Sequence, residues 1–140
     1  YVIPIGVADI TRKGSDVTLV SFGKIVKVMN EAAEELAKEG IEAETIDLRT
    51  IRPIDYDAVI NSVKKTNRLV IIEEAWPIGN ISTELTYMVQ KKAFDFLDAP
   101  IQRINTADTP LGYANVFVEE FLPNVSKVVK AVKETMYLKK

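Results

Sequence analysis

The chain has 140 residues, enough for one domain to bury roughly two thirds of the surface that its unfolded form exposes. Hydrophobic residues make up 47% and charged residues 27%, as in ordinary globular domains, and the net charge of −2 excludes the basic footprint of a nucleic-acid or anionic-membrane binder. The absence of Cys excludes disulfides and thiolate metal sites, and the absence of His removes the commonest general base.

Strand and helix patterns alternate along the sequence. Short apolar runs bounded by Gly, Pro or Asp predict strands, and apolar residues three or four positions apart predict amphipathic helices. In chain order we predict strands at 7–11 and 17–22, a helix at 24–39, a strand at 43–48, a helix that begins at Asp55, a strand at 68–73, a helix at 81–94, a strand at 101–106, a short helical piece at 116–121 and a last helix at 125–136.

This alternation predicts the fold class. Strands that alternate with helices form a mostly parallel sheet covered by helices on both faces, with right-handed crossovers. We therefore expect a three-layer α/β/α sandwich with five strands, in which the short first strand runs antiparallel at one edge. Residues 1–6 are interpreted as the remnant of a linker and residues 7–140 as a single domain excised from a longer protein, because Tyr1 stands where an initiator Met is expected.

The strongest functional signal follows the apolar run Leu69–Ile72. Glu73, Glu74, Trp76 and Pro77 come directly after this run, at the carboxyl end of a predicted buried strand, where ligands and partners usually meet an α/β domain. Two neighbouring carboxylates can act as an acid and a base, but adjacent strand residues point to opposite faces. We therefore predict an interface role for this segment and no catalytic, cofactor-binding or metal-binding residue in the chain.

Two Asn-x-Ser sequences begin at Asn80 and Asn124. Both precede predicted helices, where the side chain of Asn accepts a hydrogen bond from a free backbone N–H group. We interpret both residues as helix caps rather than as glycosylation sites. The six glycines are not spaced as in a nucleotide-binding loop.

Several segments together resemble one family. They are residues 1–6, 31–41, 48–55, 63–77 and 93–100, and in this order they are similar to the C-terminal domain of pyruvate dehydrogenase beta subunits, within the transketolase C-terminal domain family. The resemblance implies a mixed five-stranded sheet between helices. The segments 66–70 and 97–100 are more similar to pyruvate-specific subunits than to branched-chain ones or to deoxyxylulose phosphate synthase.

The resemblance also implies a role. The family uses thiamine diphosphate and Mg²⁺ to decarboxylate pyruvate and to acetylate the lipoyl group of the dihydrolipoyl acyltransferase. Its cofactor lies between the alpha subunit and the N-terminal domain of the beta subunit, so the present domain is expected to be inactive alone and to bind no cofactor. Its implied partners are the alpha subunit and a second beta subunit in a heterotetramer, together with the peripheral subunit-binding domain of the acyltransferase.

Two sets of residues carry this implied role. Glu73, Glu74, Trp76 and Pro77 match the family's Glu-Glu-Gly-Trp-Pro segment at the subunit interface, and Asp98 matches an acid that meets basic residues of the docking domain. Ala75 replaces the family's Gly, so this backbone is expected to be less free to take positive φ. The added charges of Lys139 and Lys140 are expected to weaken recognition of a basic partner.

Two alternatives stay open. In the first, the chain is a freestanding α/β module that binds a ligand at the edge formed by Glu73 and Glu74. In the second, it is the equivalent domain of another 2-oxo acid dehydrogenase or transketolase-family enzyme. The implied compartment is the bacterial cytoplasm, the mitochondrial matrix or a plastid, all of them reducing spaces that agree with a chain without Cys.

Overall fold

The computed structural model describes residues 1–138, so the prediction on Lys139 and Lys140 lies outside the described residues. Every predicted strand and helix is present, with ends that differ by at most two residues from the prediction. The elements are β1 (Asp9–Arg12), β2 (Val17–Ser21), α1 (Val26–Lys38), β3 (Ala43–Asp47), α2 (Tyr56–Thr66), β4 (Leu69–Ile72), α3 (Ile81–Ala93), β5 (Gln102–Ile104), α4 (Asn115–Phe121) and α5 (Val125–Thr135). Short 3-10 turns at Gly23–Ile25 and Phe94–Phe96 precede α1 and follow α3.

The five strands form one sheet in the order β1-β3-β2-β4-β5. The strand β1 pairs antiparallel with β3, and the other neighbours pair in parallel. The predicted mixed sheet with one antiparallel edge strand is therefore confirmed. Because β3 and β4 lie on opposite sides of β2, the chain reverses its direction of winding between the carboxyl ends of β2 and β4.

Helices cover both faces of the sheet, which confirms the three-layer sandwich. The strands β2 and β4 are buried over their whole length, and this explains why the sequence shows continuous apolar runs instead of alternation. Each fully buried Val, Leu or Ile contributes about 1.5–3 kcal/mol to folding. Under α1 and α5 the core contains Val17, Leu19, Met29, Leu36, Val70, Ile72, Val128 and Val132. Under α2 and α3 it contains Val20, Ile46, Val59, Val63, Ile71, Leu85 and Val89.

Helix ends test the cap predictions. Asp55 Oδ1 accepts from the Ala58 N–H group at 3.1 Å, and Asn124 Oδ1 accepts from the Lys127 N–H group at 2.9 Å, so both caps are confirmed. The prediction for Asn80 is wrong, because its side chain makes no cap hydrogen bond to the backbone of α3. Its Oδ1 accepts instead from the Ser82 hydroxyl at 2.8 Å.

Among residues 1–138, none of the helices is both long enough and apolar enough to cross a membrane.

Candidate interaction surfaces at the two edges of the sheet

The carboxylates of Glu73 and Glu74 diverge, as predicted for neighbours that leave a strand. Glu73 is completely buried and contacts the side of the sheet covered by α3, where its Oε2 accepts from the Ser82 N–H group at 3.1 Å. Glu74 pairs with Lys24, just before α1 on the other face, with Oε1 and Nζ 3.1 Å apart. The two groups therefore do not form an acid–base pair.

Neutral donors hold the buried carboxylate of Glu73. Its second oxygen, Oε1, accepts from Asn105 Nδ2 at 2.8 Å, so one side chain connects the start of α3 to the chain that follows β5. The backbone pairing between β4 and β5 also continues past their ends, since Glu73 N donates to Ile104 O and Thr106 N donates to Ala75 O, each at 3.0 Å. The beginning of the loop after β4 is consequently held on two sides.

The loop 74–80, which we call the Trp76 loop, is also held at its middle. Arg103 Nη1 donates to the Pro77 carbonyl at 2.9 Å, and Asn80 Nδ2 donates to the Trp76 carbonyl. The indole Nε1 of Trp76 donates to the Thr109 carbonyl at 3.2 Å. These bonds keep a large aromatic side chain in one place although it lies on the surface.

The backbone angles at Ala75 agree with the expectation for this substitution. The residues with positive φ in the described chain do not include Ala75, whereas Gly79 takes φ +67°. The left-handed position of this loop thus still falls on a glycine, four residues after the substituted one. Ala75 itself takes no positive φ, as expected for a residue that has a Cβ atom.

Trp76 lies in an apolar surface at the carboxyl edge of the sheet. Its side chain is 56% exposed, and the neighbouring helix α4 buries none of its residues. We call this set of exposed apolar side chains the Trp76 surface: Trp76, Ile78, Leu111, Tyr113, Val116 and Phe117. A cavity of about 310 Å³ opens beside Trp76 and Leu111. Between Arg103 and Lys127 the sequence has three acids and no base.

Asp98 lies at the opposite edge of the sheet, the amino edge, where the parallel strands begin. It precedes β5, whereas Trp76 follows the parallel strand β4, so the two residues stand at opposite ends of the sheet. The Asp98 side chain is 57% exposed, and its Oδ2 is 3.9 Å from Arg68 Nη2. The hydroxyl of Tyr137, just after α5, donates to the Asp98 carbonyl at 3.3 Å, which places the end of the last helix beside Asp98 as expected.

A groove of about 560 Å³ accompanies Asp98. We call it, together with the Asp98 carboxylate, the Asp98 surface, and it is lined by Thr86, Gln90, Phe94, Leu97, Asp98, Ala99, Pro100, Ile101 and Tyr137. The groove combines exposed aromatic side chains with a carboxylate that Arg68 already shares. A cation from a partner therefore has to compete with Arg68 for Asp98.

A second buried carboxylate, Glu44, lies at the amino edge. Lys65 donates to its Oε1, and the Gly14 N–H group donates to the same oxygen at 3.4 Å. Burial raises the pKa of Glu44, but hydrogen bonds from Lys65, Ser62 and a backbone amide outweigh burial and hold the pKa below its ordinary value of 4.5. This group fastens α2 to β3.

Sequence reasoning missed the partners of Glu73. The sequence does not link Ser82 or Asn105 to Glu73, because these residues lie 9 and 32 positions further along the chain. The available signal was the position of Asn105 at the carboxyl end of the strand predicted beside the one that carries Glu73. Within residues 1–138 no cluster of three or more acidic side chains is placed to hold a metal ion.

Comparison with known proteins assigns the family. The family model for the transketolase C-terminal domain matches residues 6–128. The chain is 50% identical over 133 residues to the mitochondrial pyruvate dehydrogenase E1 component subunit beta of Dictyostelium discoideum, covering 95% of this chain and 37% of the relative. It is 51% identical over 137 residues to the subunit beta of Rhizobium meliloti, covering 98% and 30%.

The chain is also similar to a beta subunit of another oxidoreductase and to a solved transketolase structure. The beta subunit of acetoin:2,6-dichlorophenolindophenol oxidoreductase from Bacillus subtilis is 46% identical over 136 residues, covering 97% of this chain and 40% of the relative. A solved structure described as "Split gene transketolase, inactive beta4 tetramer" superposes with a TM-score of 0.81 at 27% identity, covering 99% of this chain and 45% of that one. The chain spans 30–40% of the length of these curated relatives. It belongs to the transketolase C-terminal domain family, with pyruvate dehydrogenase E1 beta subunits among its relatives.

Proposed function

We propose that this chain is the C-terminal assembly domain of the beta subunit of a thiamine diphosphate-dependent pyruvate dehydrogenase, non-catalytic in itself. The enzyme decarboxylates pyruvate and acetylates the lipoyl group of the acyltransferase. The observation that carries the assembly role is the Trp76 surface, where an exposed aromatic side chain is held by hydrogen bonds beside a helix that buries nothing. Rigid, exposed aromatic residues are the usual anchors of protein interfaces.

The side chains at the carboxyl edge do not fit the cofactor. Mg²⁺ and a diphosphate require carboxylate oxygens and cationic or amide donors that are free to coordinate them. The Glu73 carboxylate is occupied by Ser82 and Asn105, and the Glu74 carboxylate is paired with Lys24. We therefore assign cofactor binding and catalysis to other parts of the enzyme and derive no reaction step in this domain.

The two edges suit different partners. We assign the alpha subunit and a second beta subunit, together forming a heterotetramer, to the carboxyl edge with Glu73, Glu74, Trp76 and Pro77. The peripheral subunit-binding domain of the dihydrolipoyl acyltransferase is assigned to the Asp98 surface. The similar protein described as a beta4 tetramer supports self-assembly of beta chains, although it is inactive in that form.

A related substrate is the second candidate. The similarity to the acetoin oxidoreductase beta subunit favours a thiamine enzyme that acts on acetoin, whose C-terminal domain has the same assembly role. A freestanding ligand-binding module is less well supported, because the hydrogen bonds of Glu73 leave that carboxylate little capacity for a ligand. The relatives include bacterial and mitochondrial proteins, and we propose the bacterial cytoplasm, the mitochondrial matrix or a plastid as the compartment.

Replacing Trp76 with Ala in the beta subunit that carries this domain tests the proposal. We expect at least about tenfold weaker assembly with the alpha subunit, because removal of a buried interface anchor typically costs about 2 kcal/mol or more. The matched control is Tyr87→Ala, another half-exposed aromatic residue, which lies on α3 and is not part of the Trp76 surface.

Sedimentation of the purified subunits measures assembly, and turnover is measured on the assembled fraction. A Trp76→Ala variant that assembles normally but turns over slowly would contradict the assembly role and favour a catalytic one.

A further inference from the structure

The cap of α3 comes from outside the helix. The residue at the cap position, Asn80, makes no side-chain hydrogen bond to a backbone N–H group of α3. Glu73, nine residues earlier and at the end of β4, accepts from the Ser82 N–H group instead. A carboxylate at a helix N-terminus also interacts favourably with the helix dipole. The N-terminus of α3 is therefore capped by Glu73, the residue that directly precedes the Trp76 loop.

Glu73 also connects the loop to β5. Its two oxygens each accept one hydrogen bond, from Ser82 N and from Asn105 Nδ2, and its side chain is completely buried. Both donors are neutral. Among the described residues the Glu73 carboxylate forms no salt bridge, and its burial keeps it from solvent. The Trp76 loop thus lies between Glu73 and α3, and the same carboxylate fastens both ends.

We infer that Glu73 is a positioning residue that holds Trp76 in its interface orientation. The carboxylate fixes the ends of the loop, Arg103 and Asn80 fix its middle, and the indole then reaches the Thr109 carbonyl. The consequence for subunit capture rests on the proposed function. The positioning itself is a property of this chain alone and is measured without a partner.

Glu73→Gln is the test substitution. It keeps the size of the side chain, but an amide presents one acceptor and one donor group where two donors, Ser82 N and Asn105 Nδ2, converge. As long as the Asn105 amide keeps its present orientation, either orientation of the new amide leaves two donors facing each other. Glu74→Gln is the matched control, because it removes the neighbouring charge and only an exposed pair with Lys24.

Trp76 is the only Trp in the sequence and provides the readout. Time-resolved fluorescence anisotropy separates its local picosecond-to-nanosecond motion from tumbling of the domain. We expect the amplitude of local motion to rise about twofold in Glu73→Gln. Hydrogen exchange at Ser82 is expected to lose about tenfold in protection, since a charge-assisted hydrogen bond is removed. Neither quantity should change in Glu74→Gln.

A rescue variant separates positioning from general stability. Adding Asn105→Asp to Glu73→Gln restores one donor opposite each acceptor, because the new amide then donates to the new carboxylate and accepts from Ser82 N. Local motion of Trp76 should return to the wild-type amplitude. A merely structural role would change the melting temperature without this reversal in the spectroscopic signal.

Asn105→Ala keeps the experiment decisive if Glu73→Gln does not fold. It retains the cap on α3 and removes only the connection to β5, so local motion of Trp76 should still increase. Unchanged anisotropy in a folded Asn105→Ala variant would overturn the inference, as would an equal change in Glu74→Gln. If the anisotropy changes as expected but the variants assemble with their partner subunits as well as the wild type does, the proposed function is contradicted and the positioning role of Glu73 is not.

Discussion

The two edges of the sheet each combine a buried glutamate with an exposed surface, but the glutamates are satisfied differently. At the amino edge, Glu44 is held by the cation of Lys65 and fastens a helix to the sheet. At the carboxyl edge, Glu73 is held by amide donors and fastens a loop. The same residue type thus stabilises regular structure at one edge and a presented side chain at the other.

The Trp76 surface and the Asp98 surface also differ in chemical character. The Trp76 surface is a set of apolar side chains beside a loop held by several hydrogen bonds, as expected for a contact formed once during assembly. The Asp98 surface offers a half-exposed carboxylate shared with Arg68 at 3.9 Å, as expected for a weaker and reversible contact. In the proposed function, the domain contacts two kinds of partner from opposite ends of one sheet.

The largest effect on folding is expected from the amino edge. Glu44→Gln removes the charge that Lys65 contacts and should lower the free energy of unfolding at neutral pH by about 1–3 kcal/mol. The exposed Glu34→Gln on α1 is the control. Urea denaturation measures the difference, and a loss no larger than that of the control would show that the buried pair adds no stability.

The pH dependence of the same variant sharpens this point. Because the pKa of Glu44 is lowered in the folded state, its contribution is present above the unfolded value of 4.5 and is lost as the pH falls through the folded pKa. The difference in unfolding free energy between the wild type and Glu44→Gln should therefore shrink below pH 4.5. A difference that stays constant down to pH 3 would contradict the assigned pKa direction.

An intermediate effect is expected at the carboxyl edge. Arg103→Met retains much of the side-chain length but removes the donors to the Pro77 carbonyl and to the hydroxyls of Ser82 and Thr83. We expect a loss of about 1–2 kcal/mol in unfolding free energy. Lys92→Met, an exposed cation on α3, is the control. Denaturation midpoints that coincide for the two variants would mean that the loop does not depend on Arg103.

The smallest effect is expected at the Asp98 surface. Asp98→Lys should weaken capture of the acyltransferase's peripheral subunit-binding domain about fivefold, because an exposed ion pair contributes only about 0–1 kcal/mol. The melting temperature should stay close to that of the wild type. Asp95→Lys, an exposed acid in the neighbouring 3-10 turn, is the control. Calorimetric titration measures affinity, and equal binding by both variants would remove Asp98 from the docking surface.

Local patterns predicted the elements well because their causes are local. The caps at Asp55 and Asn124 need only donors three residues away, and the apolar runs in β2 and β4 report burial on both faces. The same local reasoning predicted a cap at Asn80, and that prediction was wrong. Glu73, which lies at the end of β4, accepts the hydrogen bond from the start of α3 instead. A competing acceptor from another element cannot be recognised from the residues around the helix start.

The sequence by itself determined the three-layer sandwich, the divergence of Glu73 and Glu74, and the family to which the chain belongs. Periodicity, strand alternation and shared motifs are properties of consecutive residues. Only the tertiary structure decided that Glu73 is buried against Ser82 and Asn105 while Glu74 pairs with Lys24. It alone also showed that Trp76 and Asp98 lie at opposite edges, since these relations depend on how parallel strands are placed side by side.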